Sequence, residues 1–260
     1  MKLKLYQVDA FAEKVFAGNP AAVCPLDAWL DDSVMQAIAA ENNLSETAFL
    51  VPEQQGFRLR WFTPEAEVDL CGHATLAAAH VLFTHLAWGS ETVTFATRSG
   101  PLEVARAGRG YRMQLPGTLP TLAADPPGVL QWCLGVPPQA VLAAYDYVVL
   151  LADEAAVCAA RPDFGALEQL DRRGLVITAP GDDTDFVCRA FYPKLGIKED
   201  PVTGSAFCQL VPYWAQRLER VDLYGAQRSR RGGSVACALH GDQVLLSGSA
   251  CDYLVGEITI

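Results

Sequence analysis

LRWFTPEAEVDLCGHATLAAA, residues Leu59–Ala79, passes from a strand through an acidic loop into a helix. Phe57, Leu59 and Trp61 alternate with polar residues, the period-two pattern of a strand with one buried face. From Gly72 onward the chain is rich in alanine and leucine and apolar nearly all round. That marks a helix enclosed by other elements rather than one lying on a surface. Val187–Leu210, VCRAFYPKLGIKEDPVTGSAFCQL, follows the same order. Phe62-Thr63-Pro64 falls on Phe191-Tyr192-Pro193, and Gly72-His73-Ala74 falls on Gly204-Ser205-Ala206 at an offset of 132 residues. Gly100 falls on Gly232 at the same offset, and LEVARAGRGYRMQL shares a strand–turn–strand rhythm with SVACALHGDQVLLS. A fixed offset between like segments is the signature of an internal repeat.

The surrounding elements suit two mixed α/β halves. Lys4–Phe11 and Ala21–Cys24 read as strands, and Asp32 or Ser33 is placed to cap a helix through VMQAIAAENN. SETAFLVP returns to strand, and Glu91–Pro116 reads as three strands with glycine turns. Later, GLVITAP and DFVCRAFYP are strands, and GSAFCQLVPYWAQRLE is an apolar helix that Pro212 should kink. The proline-rich segment Pro116–Pro138 reads as a linker plus a short domain entry. The expected division is residues 1–117 and 118–260, with the last strands free to cross back to the first half.

Composition narrows the function. The 260 residues are 51% hydrophobic and 19% charged, enough for sizeable cores. Twenty Lys and Arg against thirty Asp and Glu give a net charge of -10, a field that repels nucleic acid. Neither apolar stretch, Ala74–Trp88 or Ala140–Ala160, makes a membrane span, because His80, His85, Asp146, Asp153 and Glu154 interrupt them. The eight cysteines have no CxxC spacing, and the start of the chain does not read as a signal peptide. Reduced thiols and a cytoplasmic location are expected. The histidines lack HExxH or related spacing, so no metal site is expected. No GxGxxG fingerprint, Walker GK[ST] or GxSxG elbow is present.

What remains is acid–base chemistry at two helix starts. Gly72 and Gly204 each open a helix whose first amides and dipole favour an anion, with His73 and Ser205 adding side-chain donors. Glu46 lies immediately before an apolar strand, where partial desolvation suits a carboxylate to accept and return a proton. Asp200, before Pro201, is a second carboxylate candidate. Cys71 stands at a helix start, but no second cysteine occupies the equivalent place, so a two-thiol mechanism fails.

Four motifs together, YQVDAF…FAGNPAAV, NLSETAF, FTPEAEVDLCGHATLAAAHVL and EDPVTGSAFCQLVPYWAQRL, resemble the phenazine-biosynthesis PhzF-like isomerase family, a branch of the diaminopimelate epimerase-like superfamily. The resemblance is strongest over residues 1–115 and 185–260. It implies two pseudo-symmetric α/β (α+β) halves, each a curled, mostly antiparallel sheet around a central helix, here near residues 73–88 and 204–219. It implies an active cleft at the helix N-termini between the halves, no metal or organic cofactor, and a homodimer. Residue by residue, Glu46 matches the proton-shuttling glutamate and His73 the histidine of CGHAT. Asp200 and Ser205 match the polar positions of DPxTGS, and Asn19 resembles a substrate-contacting asparagine. Gly72 and Gly204 would present backbone amides to a small amino or cyclic carboxylate. The implied reaction is transfer of a proton between two carbons of one substrate. Two other readings stand beside it. One is a cofactor-independent epimerase or racemase using Glu46 with Asp200 or Cys71 as bases. The other is a non-catalytic ligand-binding or interaction protein on the same fold.

Overall fold

The structure, a computed structural model, describes residues 1–53 and 56–260. Its elements divide between two units, Met1–Leu115 with Leu246–Ile260, and Pro116–Leu245.

In the first unit, β1 (Lys2–Ala10) pairs antiparallel with β2 (Asn19–Pro25), and β2 pairs parallel with β3 (Glu46–Glu53) after the helix α1 (Asp32–Asn42). β3 pairs antiparallel with β4 (Gly56–Phe62), whose end meets the short β5 (Glu67–Val68). The helix α2 (Gly72–Thr84) follows, and then β6 (Thr92–Thr97), parallel to β4, with β7 (Gly100–Ala107) and β8 (Gly110–Pro116) in antiparallel succession. Every residue of α2 from His73 to Phe83 is buried, and the helix packs against β1, β2, β3 and β7. Small side chains at Ala74, Ala77, Ala78 and Ala79 let the sheet curl closely round it. The N-cap of α1 is Asp31, one residue before the expected Asp32 or Ser33, and its side chain makes no capping bond. Asp32 instead accepts from Arg60 at 2.9 Å.

The second unit repeats this pairing in order. β9 (Thr121–Leu122) lies against β10 (Ala140–Ala143), which pairs antiparallel with β11 (Tyr147–Leu150). Short helices α3 (Glu154–Ala159) and α4 (Phe164–Leu167) lead to β12 (Leu175–Pro180), parallel to β11. β13 (Phe186–Tyr192) is antiparallel to β12 and to β14 (Ile197–Asp200), and α5 (Gly204–Leu218) follows. β15 (Asp222–Gln227) then runs parallel to β13 and antiparallel to β16 (Gly233–His240), ahead of β17 (Gln243–Gly248). Antiparallel, parallel, antiparallel, antiparallel, helix, parallel, antiparallel is the sequence of pairings in both units. The fold is therefore mixed α/β in two pseudo-symmetric halves, each a mostly antiparallel sheet with a central helix.

The helix α5 runs through Pro212 without a break in its span. Proline has no N–H to give to the carbonyl four residues back, and here the Thr118 amide donates to Cys208 O at 2.9 Å in its place. The segment read as a linker thus supplies a hydrogen bond that α5 lacks, and it also carries β9 and a 3-10 turn at Gly128–Gln131. The last strand, β18 (Ala250–Thr259), pairs antiparallel with β1 along its length. All eight cysteines are free thiols. Among the described residues, no helix is long and apolar enough to cross a membrane.

Candidate active site

The first unit builds its polar cluster from a tight turn, two parallel strands and a helix start. After β1 the chain reverses through Phe11, Phe16 and Gly18, all at positive φ. Gly18 has φ 64, and a Cβ there would lie 2.2 Å from Ala10 O, so only glycine fits. The reversal sets Asn19, fully buried, opposite Ala10 at the head of β2. β3 lies parallel with Ala21 opposite Glu46, which brings the Glu46 carboxylate to the same end of the sheet.

Cys71, in extended conformation, is the N-cap of α2, and its carbonyl accepts from the Thr75 hydroxyl at 2.6 Å. The first turn of the helix then projects His73 at Glu46 and Asn19. Nε2 of His73 lies 3.1 Å from Glu46 Oε2, at ion-pair distance although not aligned for a hydrogen bond. On the other side of the ring, Nδ1 lies 3.2 Å from Asn19 Nδ2 and 3.5 Å from Cys71 Sγ. Both partners are tightly enclosed, with side-chain exposures of 4% for His73 and 12% for Glu46.

Burial alone would pull the His73 pKa down, but the interactions with Cys71 and Glu46 outweigh it and hold the ring well above 6.5. Burial, reinforced by the Glu46 carboxylate, pushes the Cys71 thiol up to about 11. A neutral ring protonated on Nε2 accepts at Nδ1 from the Asn19 amide; a charged ring requires that amide to turn its oxygen inward.

Glu46, Cys71 and His73 also present three possible metal-ligand atoms within 4.8 Å of one another. A metal there would have to displace the proton from a thiol of raised pKa and break the buried ion pair.

In the second unit, Asp200 ends β14 and Thr203 is the N-cap of α5, at the place Cys71 holds on α2. The Thr203 hydroxyl donates to Asp200 Oδ2 at 2.5 Å. Gln227, fully buried on β15, ties the turn together: its Nε2 donates to Asp200 O at 2.6 Å, and its Oε1 accepts the Thr203 amide at 2.9 Å. Ser205 belongs to a separate network. Its Oγ accepts from Arg173 at 2.9 Å, leaving the hydroxyl proton to be donated elsewhere, and its carbonyl accepts from the Tyr145 hydroxyl at 2.6 Å. Arg173 is held in turn by a bidentate pair with the buried Asp146, at 2.9 and 2.7 Å, and lies over the rings of Tyr145 and Tyr192.

The structure thus gathers Asn19, Glu46 and His73 into one cluster in the first unit, with Gly72 beside them in the chain. Asp200 sits with Thr203, while Ser205 is held by Arg173 and Tyr145. Gln227, Asp146, Arg173 and Tyr145 had no functional signal in the sequence, since each acts through partners remote along the chain. Thr203 alone was within reach, because the 132-residue offset lays it on Cys71.

A family model described as phenazine biosynthesis-like protein, PhzC-PhzF, matches residues 8–126 and 131–255. The chain belongs to the phenazine biosynthesis-like family. An uncharacterized isomerase of Pseudomonas aeruginosa is 51% identical over 258 residues, covering 99% of each chain. The crystal structure of a PhzF-family protein from Enterococcus faecalis superposes with a TM-score of 0.97 at 47% identity over the whole of both chains. A Pseudomonas aeruginosa protein named a predicted epimerase matches at 26% identity and a TM-score of 0.77, covering 99% of each chain. PhzF-like and epimerase-like proteins therefore share this architecture.

Proposed function

We propose that the chain is a PhzF-like isomerase that moves a proton within one small amino or cyclic carboxylate, with Glu46 as the group that takes and returns it. The observation that carries this reading is the buried Glu46–His73 pair, 3.1 Å apart, at the first turn of α2. A C–H bond of the substrate breaks toward a Glu46 oxygen, and its electron pair moves into the adjoining conjugated system. Glu46 then delivers the same proton to a second carbon, so no atom is gained or lost and no electron acceptor is required. The His73 charge and the amides at Gly72 favour the negative charge that develops meanwhile. Asn19 orients the His73 ring. Asp200, with Ser205 and the Gly204 amide, is proposed to contact the substrate's polar groups. A homodimer and a cytoplasmic location carry over from the family resemblance as part of the same proposal.

The test is turnover in deuterated water across a panel of small amino and cyclic carboxylates, followed by NMR. Glu46→Gln is expected to lower the isomerisation rate of the accepted substrate by roughly 10²–10⁴-fold while leaving the circular dichroism spectrum intact. Full turnover in that variant would sink the assignment. A thiol-based epimerase is favoured by one feature, the place of Cys71 at the head of α2 beside His73. Cys71→Ser separates the two: it retains turnover if Glu46 works alone, whereas loss of turnover together with inversion at a single α-carbon would favour the epimerase.

A further inference from the structure

At the opposite end of α2, two histidines converge on one carboxylate. His80 Nε2 lies 3.0 Å from Asp252 Oδ1, and His85 Nε2 lies 3.0 Å from Asp252 Oδ2. We propose that His80, His85 and Asp252 form a binding site for a borderline divalent transition metal such as Zn²⁺ or Ni²⁺, one that fastens the last strand to α2.

Four features carry the proposal. The three ligand atoms lie within 4.8 Å of one another, and the two nitrogen–oxygen distances of 3.0 Å match the edge of an octahedral coordination shell with bonds of about 2.1 Å. A cation can therefore enter by replacing the two imidazole protons that now face the carboxylate, with little movement of heavy atoms.

Both rings are already oriented by their surroundings. His80 Nδ1 lies 2.8 Å from the Tyr111 hydroxyl, which can donate to a lone pair or accept from an N–H, so the tautomer with Nε2 bare is satisfied as well. His85 lies against the Tyr6 ring, centroids 4.9 Å apart and planes tilted by 32°.

The carboxylate is aimed by a bulge. Val8 pairs with Asp252 but Gln7 pairs with Leu254, so Tyr253 is the extra residue on β18, and the register shift turns Asp252 toward the helix. The site is also open on one side, with side-chain exposures of 10%, 22% and 34% for His80, His85 and Asp252, leaving room for water to complete the shell. Two nitrogens and one carboxylate suit Zn²⁺, Co²⁺, Ni²⁺ or Cu²⁺ and disfavour Mg²⁺ and Ca²⁺.

The site owes nothing to the cluster at Glu46, and the test keeps them apart. The full chain, stripped with EDTA, is titrated calorimetrically with NiCl₂ and with ZnSO₄, beside Cys71→Ser, His85→Ala, Asp252→Asn and Tyr111→Phe. Saturable binding is expected in the wild type and in Cys71→Ser. It should weaken at least tenfold in His85→Ala and in Asp252→Asn, and by about tenfold in Tyr111→Phe through loss of the outer partner. Co²⁺ should bind without the near-ultraviolet charge-transfer band that a thiolate ligand would give. Asp252→Asn preserves shape, so it stands as the second variant should His85→Ala fold poorly. Absence of saturable binding in the wild type overturns the proposal. So does binding that survives unchanged in both His85→Ala and Asp252→Asn, or binding lost in Cys71→Ser.

Discussion

Replacing Asp146 with asparagine removes one charge at the centre of the network that holds Ser205, with no change of shape. The carboxylate is fully buried and accepts four hydrogen bonds: two from Arg173, one from Gln209 Nε2 at 2.8 Å and one from the Tyr192 hydroxyl at 3.4 Å. An asparagine keeps one acceptor oxygen and turns an NH₂ on the other partners. Gln209 cannot adapt by flipping, because its Oε1 accepts the backbone amide of residue 146 at 3.2 Å. Breaking a wholly buried ion pair costs roughly 3–5 kcal/mol. Arg173 retains 37% exposure and recovers water, which reduces that part to about 2 kcal/mol. One opposed pair of donors adds about 1 kcal/mol or more. A total near 3 kcal/mol should lower the thermal midpoint by roughly 6–12 °C, read by circular dichroism or calorimetry. The double variant Asp146→Asn with Arg173→Met should lose less than the two single variants summed, since it leaves no unpaired guanidinium. A midpoint within 2 °C of wild type for Asp146→Asn, or strict additivity in the double variant, would refute the reasoning.

Two further outcomes follow from the first unit's cluster. The folded-state pKa of His73 is raised, so its stabilising contribution is complete below the unfolded value of about 6.5 and is lost as pH rises through the folded value. NMR titration of the imidazole should give a midpoint above 6.5 that falls in Glu46→Gln; a wild-type midpoint below 6.5 would contradict the electrostatic account. Iodoacetamide at pH 7.5 should modify exposed Cys158 quickly and leave Cys71 untouched, because Cys71 is buried and its thiol pKa is about 11. Peptide mapping that finds Cys71 labelled as fast as Cys158 would show that the pocket opens or the thiol is ionised.

The parts of the fold that could be read in the sequence are those encoded locally. The alanine-rich body of α2 and the glycines that open α2 and α5 sit in short patterns with one physical meaning each. Glu46 and His73 are legible as members of motifs, but their 3.1 Å approach depends on the parallel pairing of β2 with β3, which no local pattern states. The supporting residues were illegible for the same reason. Gln227 reaches Thr203 across 24 residues and Asp146 reaches Gln209 across 63, and in the sequence both are ordinary polar residues among apolar ones. The linker reading of Pro116–Pro138 rests on its prolines, yet the Thr118 amide is used inside the unit, donating to the Cys208 carbonyl that Pro212 leaves without its usual helical partner. His80 and His85 stand five apart, a spacing that says little without a third ligand, and their common partner lies more than 160 residues away.

The repeat itself bears on the chemistry. Inverting a carbon centre calls for acid–base groups working on two faces of the substrate. Here the two copies have diverged in polar dressing while keeping their pairing order. The first copy begins β3 with Glu46 and α2 with Cys71 and His73. The second begins β12 after Gly174 with Leu175, and α5 with Thr203 and Ser205. None of those four second-copy residues titrates near neutral pH. Asp200 is the carboxylate just before that helix start, and it receives the Thr203 hydroxyl at 2.5 Å, an arrangement suited to binding and orientation. On the proposed reading, Glu46 removes and returns a proton on one side of the substrate, which is the work of an isomerase that shifts hydrogen between carbons rather than of an epimerase that inverts one.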